Sequence, residues 1–249
     1  MNLKQLYKNQ NFNTYELIFI GMALIAIPTL AIIFGSWWLV SLASVFTCLC
    51  AIFTSKGKFI GVIFGLMPFY CIAAYLQGFY GECLIFICLT VPLYVFALIS
   101  WIRNQNPSQK AIVINKIKLR EWLLLFVAAV ALFFALYFLL RAFNTQELII
   151  STLSCTFATL AFYLSARRSK SAFILFMLST VVFFILWLTP IINGNLTFIP
   201  LLFAGLMNFV NDFYGLYNWN RLEKSQAKLA SPQDNDSISK KSKTKVQPN

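Results

Sequence analysis

Eight long apolar runs follow one another along the chain, and short polar stretches separate them. Each run has about the 20 residues that a helix needs to cross the hydrocarbon core of a bilayer. The runs lack the alternation of apolar and polar residues that is typical of a membrane β-barrel, and helices satisfy their backbone hydrogen bonds within one segment. The pattern therefore predicts an all-α integral membrane protein with about eight transmembrane helices, at residues 15–34, 36–54, 59–77, 79–102, 121–143, 146–166, 171–190 and 196–219.

The charged residues predict the orientation of these helices. Only 11% of the residues are charged, whereas a soluble domain has about 25%. With a cytoplasmic amino terminus, 19 of the 20 basic residues fall on cytoplasmic segments and only Arg141 does not, as the positive-inside rule requires. The net charge of +12 therefore indicates membrane topology rather than nucleic-acid binding. Both termini are predicted to be cytoplasmic, as a short segment at 1–14 and a disordered basic tail at 222–249 that is a candidate for contact with membrane lipids.

The second to fourth runs resemble the sixth to eighth. Each trio has a basic turn after its first helix, at residues 56–58 and 167–170, and each ends on a Trp-x-Arg triplet that begins at Trp101 or Trp219. Two three-helix units joined by one helix run parallel, related by an axis along the membrane normal. The predicted architecture is an extra first helix followed by a 3+1+3 bundle, with boundaries at residues 15–34, 36–102, 103–143 and 146–221.

The last helix carries a polar stripe. Its members are spaced i, i+3, i+4, i+7 and i+11 and share one side of a helix; they are Asn208, Asn211, Asp212, Gly215 and Trp219. A charged Asp in the middle of a lipid-facing helix costs about 2.5–3.5 kcal/mol, so we expect the stripe to face the bundle interior. We predict that Asn208, Asn211 and Asp212 bind a solute, and the alternative is that they only form hydrogen bonds between helices.

The repeat pairs two positions of this stripe with Thr90 and Tyr94 in the fourth helix. These side chains are therefore predicted to line the same cavity from the other unit. Pro92 lies between them, and Pro68 lies in the third helix. Proline breaks the backbone hydrogen-bond ladder and allows a kink, so we predict hinges at both positions, with static kinks as the alternative.

Aromatic residues are abundant and suggest the nature of the solute. Trp101 and Trp219 lie near the cytoplasmic ends of their helices, where we predict interface anchors, and Gly215 is grouped with them as a structural or gating position. Aromatic residues within the runs either lie in the core or against lipid or stack on a planar ligand, and the candidates for stacking are Trp187, Tyr70, Tyr75 and Tyr163. A cavity with aromatic and uncharged polar walls suits a planar, weakly charged solute with hydroxyl groups.

Several reaction classes lack their required residues in this sequence. The chain has no histidine, which excludes zinc proteases of the His-Glu-x-x-His type and histidine-based lipid phosphatases. It contains no Walker A loop, and its six cysteines lie within apolar runs, as small residues at helix interfaces do. We therefore predict that the protein is not an enzyme and uses neither a cofactor nor a metal.

The run GNLTFIPLLFAGLMNFVNDFYGLYNWNRLEK, residues 194–224, resembles the closing helix of the PnuC vitamin transporters. The match is carried by Asn211, Tyr214, Gly215 and Trp219, and residues 56–104 resemble the corresponding part of the first unit. The resemblance covers roughly residues 36–224. It departs from the family pattern at four positions, Tyr94, Ala97, Phe173 and Ser179.

The resemblance implies a 3+1+3 fold like that of the SWEET sugar carriers. It also implies facilitative uptake of nicotinamide riboside, for NAD biosynthesis, across a bacterial inner membrane by alternating access. A cytoplasmic kinase would trap the small-molecule substrate, and a homotrimer is common in the family. Asn208, Asn211 and Asp212 would then bind ribose hydroxyls or an amide, and Tyr94 and Trp187 would border the ring. The alternatives are another vitamin or nucleoside, such as thiamine, riboflavin or a deoxynucleoside, or a scaffold that transports nothing.

Overall fold

The computed structural model describes residues 12–106 and 111–229, and they are almost entirely helical. A π-helical turn (Phe86–Thr90) and a short 3₁₀ turn (Leu196–Phe198) each lead directly into a longer helix. Within the described residues, eight segments are long and apolar enough to span a membrane, which confirms the predicted number. The helices are α1 (Thr14–Ile33), α2 (Trp38–Ser55), α3 (Phe59–Gly65), α4 (Phe69–Leu76), α5 (Tyr80–Ile85), α6 (Val91–Arg103), α7 (Leu119–Ala142), α8 (Leu148–Ala166), α9 (Ala172–Ile192) and α10 (Ile199–Leu229).

The predicted ends of the spans agree with the structure within two residues, except at the last helix. α10 continues to Leu229, so the expectation of a disordered tail from residue 222 is wrong for its first part. The reason is that polar residues on an extended helix outside the membrane carry no apolar signal. The rest of the predicted tail and nearly all of the predicted amino-terminal segment lie outside the described residues.

The turns between helices define two faces of the bundle. The basic turns at residues 56–58 and 167–170 lie on one face, which we call the basic face. The α4–α5 turn and the α9–α10 connection meet on the other, the opposite face, where the Asn195 side chain donates a hydrogen bond to Gln77 Oε1 at 3.3 Å. The α7–α8 connection is on the opposite face too, because Gly81 N donates to Thr145 Oγ1 at 3.2 Å.

Two of the spans are interrupted near their prolines. α3 ends at Gly65 and α4 begins at Phe69, directly after Pro68. Pro92 lies in the first turn of α6, immediately after the π-helical turn. Proline has no N–H to continue the backbone ladder, which explains both interruptions. Both positions therefore lie at irregular points of their spans, and hinge motion there stays a prediction.

The extra first helix packs against one helix of each unit, α2 and α10. Asn13 begins it with a capping box to Glu16, which satisfies free N–H groups of its first turn. Glu16 also forms a buried ion pair with Lys56, at 2.5 Å, and accepts a hydrogen bond from Tyr214 Oη at 2.6 Å. α1 is thereby tied to both units at the basic face through one buried charged network.

Trp101 and Trp219 connect the two units at the basic face. Trp101 Nε1 donates to the carbonyl of Ser165 in α8 at 2.8 Å, and Trp219 Nε1 donates to the carbonyl of Thr54 in α2 at 3.1 Å. Each tryptophan thus satisfies a carbonyl near the end of the other unit's first helix. One such hydrogen bond in each direction is the arrangement expected of two similar units placed side by side.

Both tryptophans are fully buried, so the prediction that they are interface anchors is wrong. Their position near the ends of the runs was correct, but their rings face the partner unit rather than lipid, because each indole N–H finds its acceptor there. Trp37 and Trp38, by contrast, are largely exposed at the start of α2.

A short hairpin in the linker was not predicted. β1 (Gln105–Asn106) pairs antiparallel with β2 (Ala111–Ile112), and strands of two residues give no periodic signal in a sequence. The Gln226 side chain of α10 holds the second strand, since it accepts from Ile114 N and donates to the carbonyl of Ile112, both at 2.9 Å. The hairpin therefore packs against the extension of α10 beyond the membrane.

Candidate functional site: a cavity between the two units

A cavity of about 220 Å³ lies between the two units. α2, α8, α9 and α10 form most of its walls, and the interrupted third and fourth spans complete them. Most of its lining is apolar or aromatic, with a few convergent polar groups, as is typical of sites for small molecules. These polar groups include Thr47, Thr54, Tyr70, Glu82, Thr90, Tyr94, Ser154, Ser165, Ser179, Thr180, Asn208 and Asp212.

Asn208 and Asp212 lie on the cavity wall, as predicted from their spacing. They are one turn apart on α10 and share a face. Asp212 is buried, and it accepts a long hydrogen bond of 3.4 Å from Thr180 Oγ1. Asn208 Oδ1 is buried and has no hydrogen-bond partner among the described residues. Buried polar atoms without partners are costly, so these two side chains are suited to a polar ligand.

Asn211 does not line the cavity. Its Nδ2 donates to Ser55 Oγ at 2.8 Å, and Asn218 donates to the carbonyl of the same serine at 2.8 Å. Both contacts join α10 to the end of α2. The structure therefore places Asn211 in the role that the alternative interpretation gave it, a hydrogen bond between helices.

Thr90 and Tyr94 reach the cavity from the fourth span. The Tyr94 ring packs 4.7 Å from that of Phe162, centroid to centroid, and its hydroxyl lies 3.5 Å from Cys50 Sγ. A Cβ atom at Gly65 would lie 2.3 Å from the Tyr94 ring. The break in the third span thus leaves room for this tyrosine only because residue 65 has no side chain.

Gly215 plays the same part in the second unit. A Cβ atom there would lie 2.2 Å from the ring of Phe173, which lines the cavity. The Phe173 ring also packs 5.1 Å from that of Trp219. Gly215 therefore leaves room for an aromatic residue of the cavity wall, and its structural or gating role stays a prediction.

Trp187 lies behind the cavity wall and not in it. It is fully buried among the rings of Tyr70, Phe79, Phe183 and Phe198. The expectation that it borders the ligand ring is not met by this geometry, because Phe183, one turn earlier on α9, occupies the wall instead. Trp187 supports the aromatic residues that line the cavity.

Pro92 also faces away from the cavity. It lines a separate groove between α6, α7 and α8, together with Tyr163 and Glu121. Glu121 pairs with Arg167 there at 3.1 Å. Pro92 therefore shapes the outer surface of the fourth span.

Glu82 is a residue of the cavity that the sequence analysis missed. It lies in the first turn of α5, is 6% exposed and lines the cavity. Its Oε2 accepts from Tyr70 Oη at 3.3 Å, while Oε1 has no hydrogen-bond partner among the described residues. Its place near the end of an apolar run is where charged residues are usually solvated, which is why the sequence gave no signal for it.

The charged side chains that line the cavity are all acidic among the described residues. Two carboxyl groups lie on its wall, and among the residues that the structure describes no lysine or arginine does. The described residues contain no group of three or more His, Cys, Asp or Glu side chains that could hold a metal ion. A site with carboxylates and aromatic faces but without cations favours a positively charged ligand and disfavours an anion.

A bundle of membrane-spanning helices that encloses such a cavity between two similar units has the arrangement of a solute transporter. Residues 37–221 match the family described as the nicotinamide mononucleotide transporter. This match covers most of the chain, and the chain belongs to that family. The protein is thus a multi-pass membrane transporter and not an enzyme, as the sequence predicted.

Two known proteins are similar over most of their length. The nicotinamide riboside transporter PnuC of Neisseria mucosa is 25% identical over 193 residues, which cover 75% of this chain and 73% of that protein. A crystal structure of the vitamin B3 transporter PnuC matches with a TM-score of 0.78 and 22% identity, over 90% of this chain and 99% of the other. These findings confirm the resemblance to the PnuC family and the predicted all-α membrane fold, and the 3+1+3 repeat stays a prediction.

Proposed function

We propose that this protein carries nicotinamide riboside across the membrane by facilitated diffusion, with alternating access to the cavity between its units. The observation that carries the proposal is the charge of that cavity, which holds Glu82 and Asp212 but no basic residue among those described. Nicotinamide riboside has a cationic pyridinium ring, and carboxylates and aromatic faces both attract such a ring in a partly desolvated site. The similar protein from Neisseria mucosa is named for the same solute.

The cavity favours the riboside over the mononucleotide in the family's description. A phosphate ester carries a charge of about −1.5 to −2 at neutral pH. Proteins bind phosphate through arginine, lysine or a helix N-terminus. The described lining of this cavity has no basic side chain, and its two carboxylates would repel the phosphate.

Different side chains of the cavity would bind different parts of the substrate. Asp212, Asn208 and Thr180 would bind ribose hydroxyls or the amide, since all three line the cavity and Asn208 Oδ1 lacks a partner. Tyr94 and Phe183 would border the pyridinium ring from the two units. Neighbouring aromatic rings hold both of these rings in place, which limits the entropy lost on binding.

The proposal includes an orientation in the membrane. The basic face would be cytoplasmic, with both termini inside a bacterial inner membrane, because basic turns are retained on the cytoplasmic side. A cytoplasmic kinase would phosphorylate the imported riboside and maintain its inward gradient. A homotrimer, as implied by the resemblance to the PnuC family, belongs to the same proposal.

Thiamine is the second candidate, because its thiazolium ring is also cationic and would meet the same carboxylates. Riboflavin and deoxynucleosides carry no such charge and gain less from this cavity. A scaffold that transports nothing would tolerate changes at Asp212. Transport of nicotinamide riboside, transport of thiamine and a scaffold role therefore predict different results in one uptake assay.

The test is uptake of radiolabelled nicotinamide riboside into proteoliposomes that hold the purified full-length chain, without an ion gradient. We expect saturable uptake that stops at equal concentrations on both sides. Unlabelled riboside should compete, and the mononucleotide should not. Asp212→Asn should lose uptake, whereas Glu147→Gln, which changes an exposed carboxylate outside the cavity, should not. Competition by thiamine alone would favour the second candidate, and no saturable uptake would reject the proposal.

A further inference from the structure

Glu82 and Asp212 lie at two different depths of one cavity. Glu82 is in the first turn of α5, next to the opposite face. α10 begins at Ile199 near that same face, and Asp212 lies about three and a half helical turns further in, at 3.6 residues per turn. The cavity therefore has one carboxylate near its opposite-face end and another deeper, toward the basic face.

The Glu82 carboxyl group is available for a ligand. The residue is 6% exposed and one of its oxygens, Oε1, has no hydrogen-bond partner among the described residues. The other oxygen accepts a long bond from Tyr70, and the Cys155 thiol also contacts this carboxyl group. An isolated carboxyl group in such a place is costly unless something pairs with it. The wall of the cavity provides no basic residue for that purpose within the described part of the chain.

Two aromatic residues of the cavity lie near Glu82 in the structure or along the chain. Tyr70 contacts it directly, and Phe86, about one turn after Glu82, lines the same cavity. Ring faces attract cations. A carboxylate in the same cavity wall as aromatic rings therefore favours an organic cation over a neutral ring of the same shape.

We propose that Glu82, Tyr70 and Phe86 form an outer cation site, separate from the deeper site at Asp212 and Asn208. A cationic nucleoside would bind there first when the cavity is open to the opposite face. The outer site would select for the positive charge of the ring, whereas the deeper site would hold the ribose or the amide. This inference rests on the proposed function, because it assigns a second position to the same substrate.

The experiment compares two forms of one solute. Nicotinamide riboside is cationic, and reduced nicotinamide riboside has the same ribose and amide on a neutral ring. Uptake of both is measured in proteoliposomes with the wild-type chain, Glu82→Gln, and the control Glu147→Gln, an exposed glutamate also on the opposite face. We expect Glu82→Gln to raise KM for the cation about tenfold or more, as loss of a charge-assisted contact does. KM for the neutral form should stay within about twofold, since no such contact is lost for it.

Uptake of the neutral form shows that Glu82→Gln is folded and inserted. Tyr70→Phe adds a second test, because it keeps both the ring and the carboxylate and should keep the preference for the cation. An equal rise in KM for both forms in Glu82→Gln, or loss of the preference in Tyr70→Phe, would overturn the outer site. So would an unchanged KM in Glu82→Gln beside a loss of uptake in Asp212→Asn, which would leave the proposed function standing. Absence of uptake of the cationic riboside by the wild type would instead reject the proposed function.

Discussion

Trp101 and Trp219 lie with their ring centroids 5.7 Å apart, and each donates its indole N–H to the first helix of the other unit. The contact is reciprocal, so neither unit can move at the basic face without breaking a buried hydrogen bond or carrying its partner along. The pair therefore holds the two units together at the basic face, on one side of the cavity.

Replacing either tryptophan should weaken this joint. Trp101→Phe and Trp219→Phe each leave a buried carbonyl without its donor, and we expect a loss of about 1–3 kcal/mol in stability for each. The double variant should lose less than the sum, because the two rings are in contact. Thermal unfolding in detergent measures this. Trp38→Phe, at a largely exposed site, is the control and should change little. Full additivity would mean that the two tryptophans act independently.

The glycines that face aromatic rings should not tolerate a methyl group. Gly65→Ala and Gly215→Ala would place a Cβ atom 2.3 Å and 2.2 Å from the rings of Tyr94 and Phe173. Overpacking of this kind costs about 1–3 kcal/mol, and here it would also displace cavity walls. We expect reduced uptake in both variants. Gly21→Ala has open space and should transport normally; a normal rate in Gly65→Ala would contradict the assigned packing.

Asn211 and Asp212 are neighbours with different roles, and substitution should separate them. Asn211→Ala removes a buried hydrogen bond of 2.8 Å to Ser55 and should lower stability by about 1–3 kcal/mol, with the remaining folded protein keeping its KM. Asp212→Asn should lose uptake with little change in stability, because its carboxylate has only a long contact with Thr180. Unfolding curves and uptake kinetics on the same samples test both statements. A changed KM in Asn211→Ala would place that residue in the solute path.

The stability of the protein should depend on both residues of the buried ion pair between Glu16 and Lys56. Lys56→Met leaves the carboxylate buried without its ion pair, and we expect a loss of about 3–5 kcal/mol. Glu16→Gln combined with Lys56→Met should recover part of that loss, since no uncompensated charge remains. Yield and thermal unfolding of the full chain measure the effect. A double variant that is less stable than Lys56→Met would show that the Glu16 carboxylate stabilises the fold mainly through its contacts with Asn13 and Tyr214.

The spans were predictable because a helix needs a certain number of apolar residues to cross a bilayer. The length of each apolar run can be read directly from the sequence. The polar stripe on α10 was only partly predictable. Asn211 and Asp212 both fall near the line of Asn208, but neighbouring residues on a helix are about 100° apart. One of the two therefore faces the cavity and the other faces α2, and only the packing of the helices decides which.

Other features depend on which layer of the bundle a side chain occupies. Trp187 and Phe183 have the same character and lie one turn apart, yet the structure puts Trp187 behind the wall and Phe183 in it. Glu82 was hidden for a different reason, because a carboxylate near the end of an apolar run is normally solvated. It lies in the first turn of α5, which packs against the α7–α8 connection through the Gly81 and Thr145 contact.

The absence of basic residues from the described cavity lining has a consequence for retention of the solute. On the proposed function, phosphorylation inside the cell converts a cation into a species that the carboxylates of Glu82 and Asp212 repel. The same walls that admit the vitamin then bar its product from leaving. Net accumulation would need no energy source at the carrier itself, because the passage is reversible for the substrate and closed to what the cell makes from it.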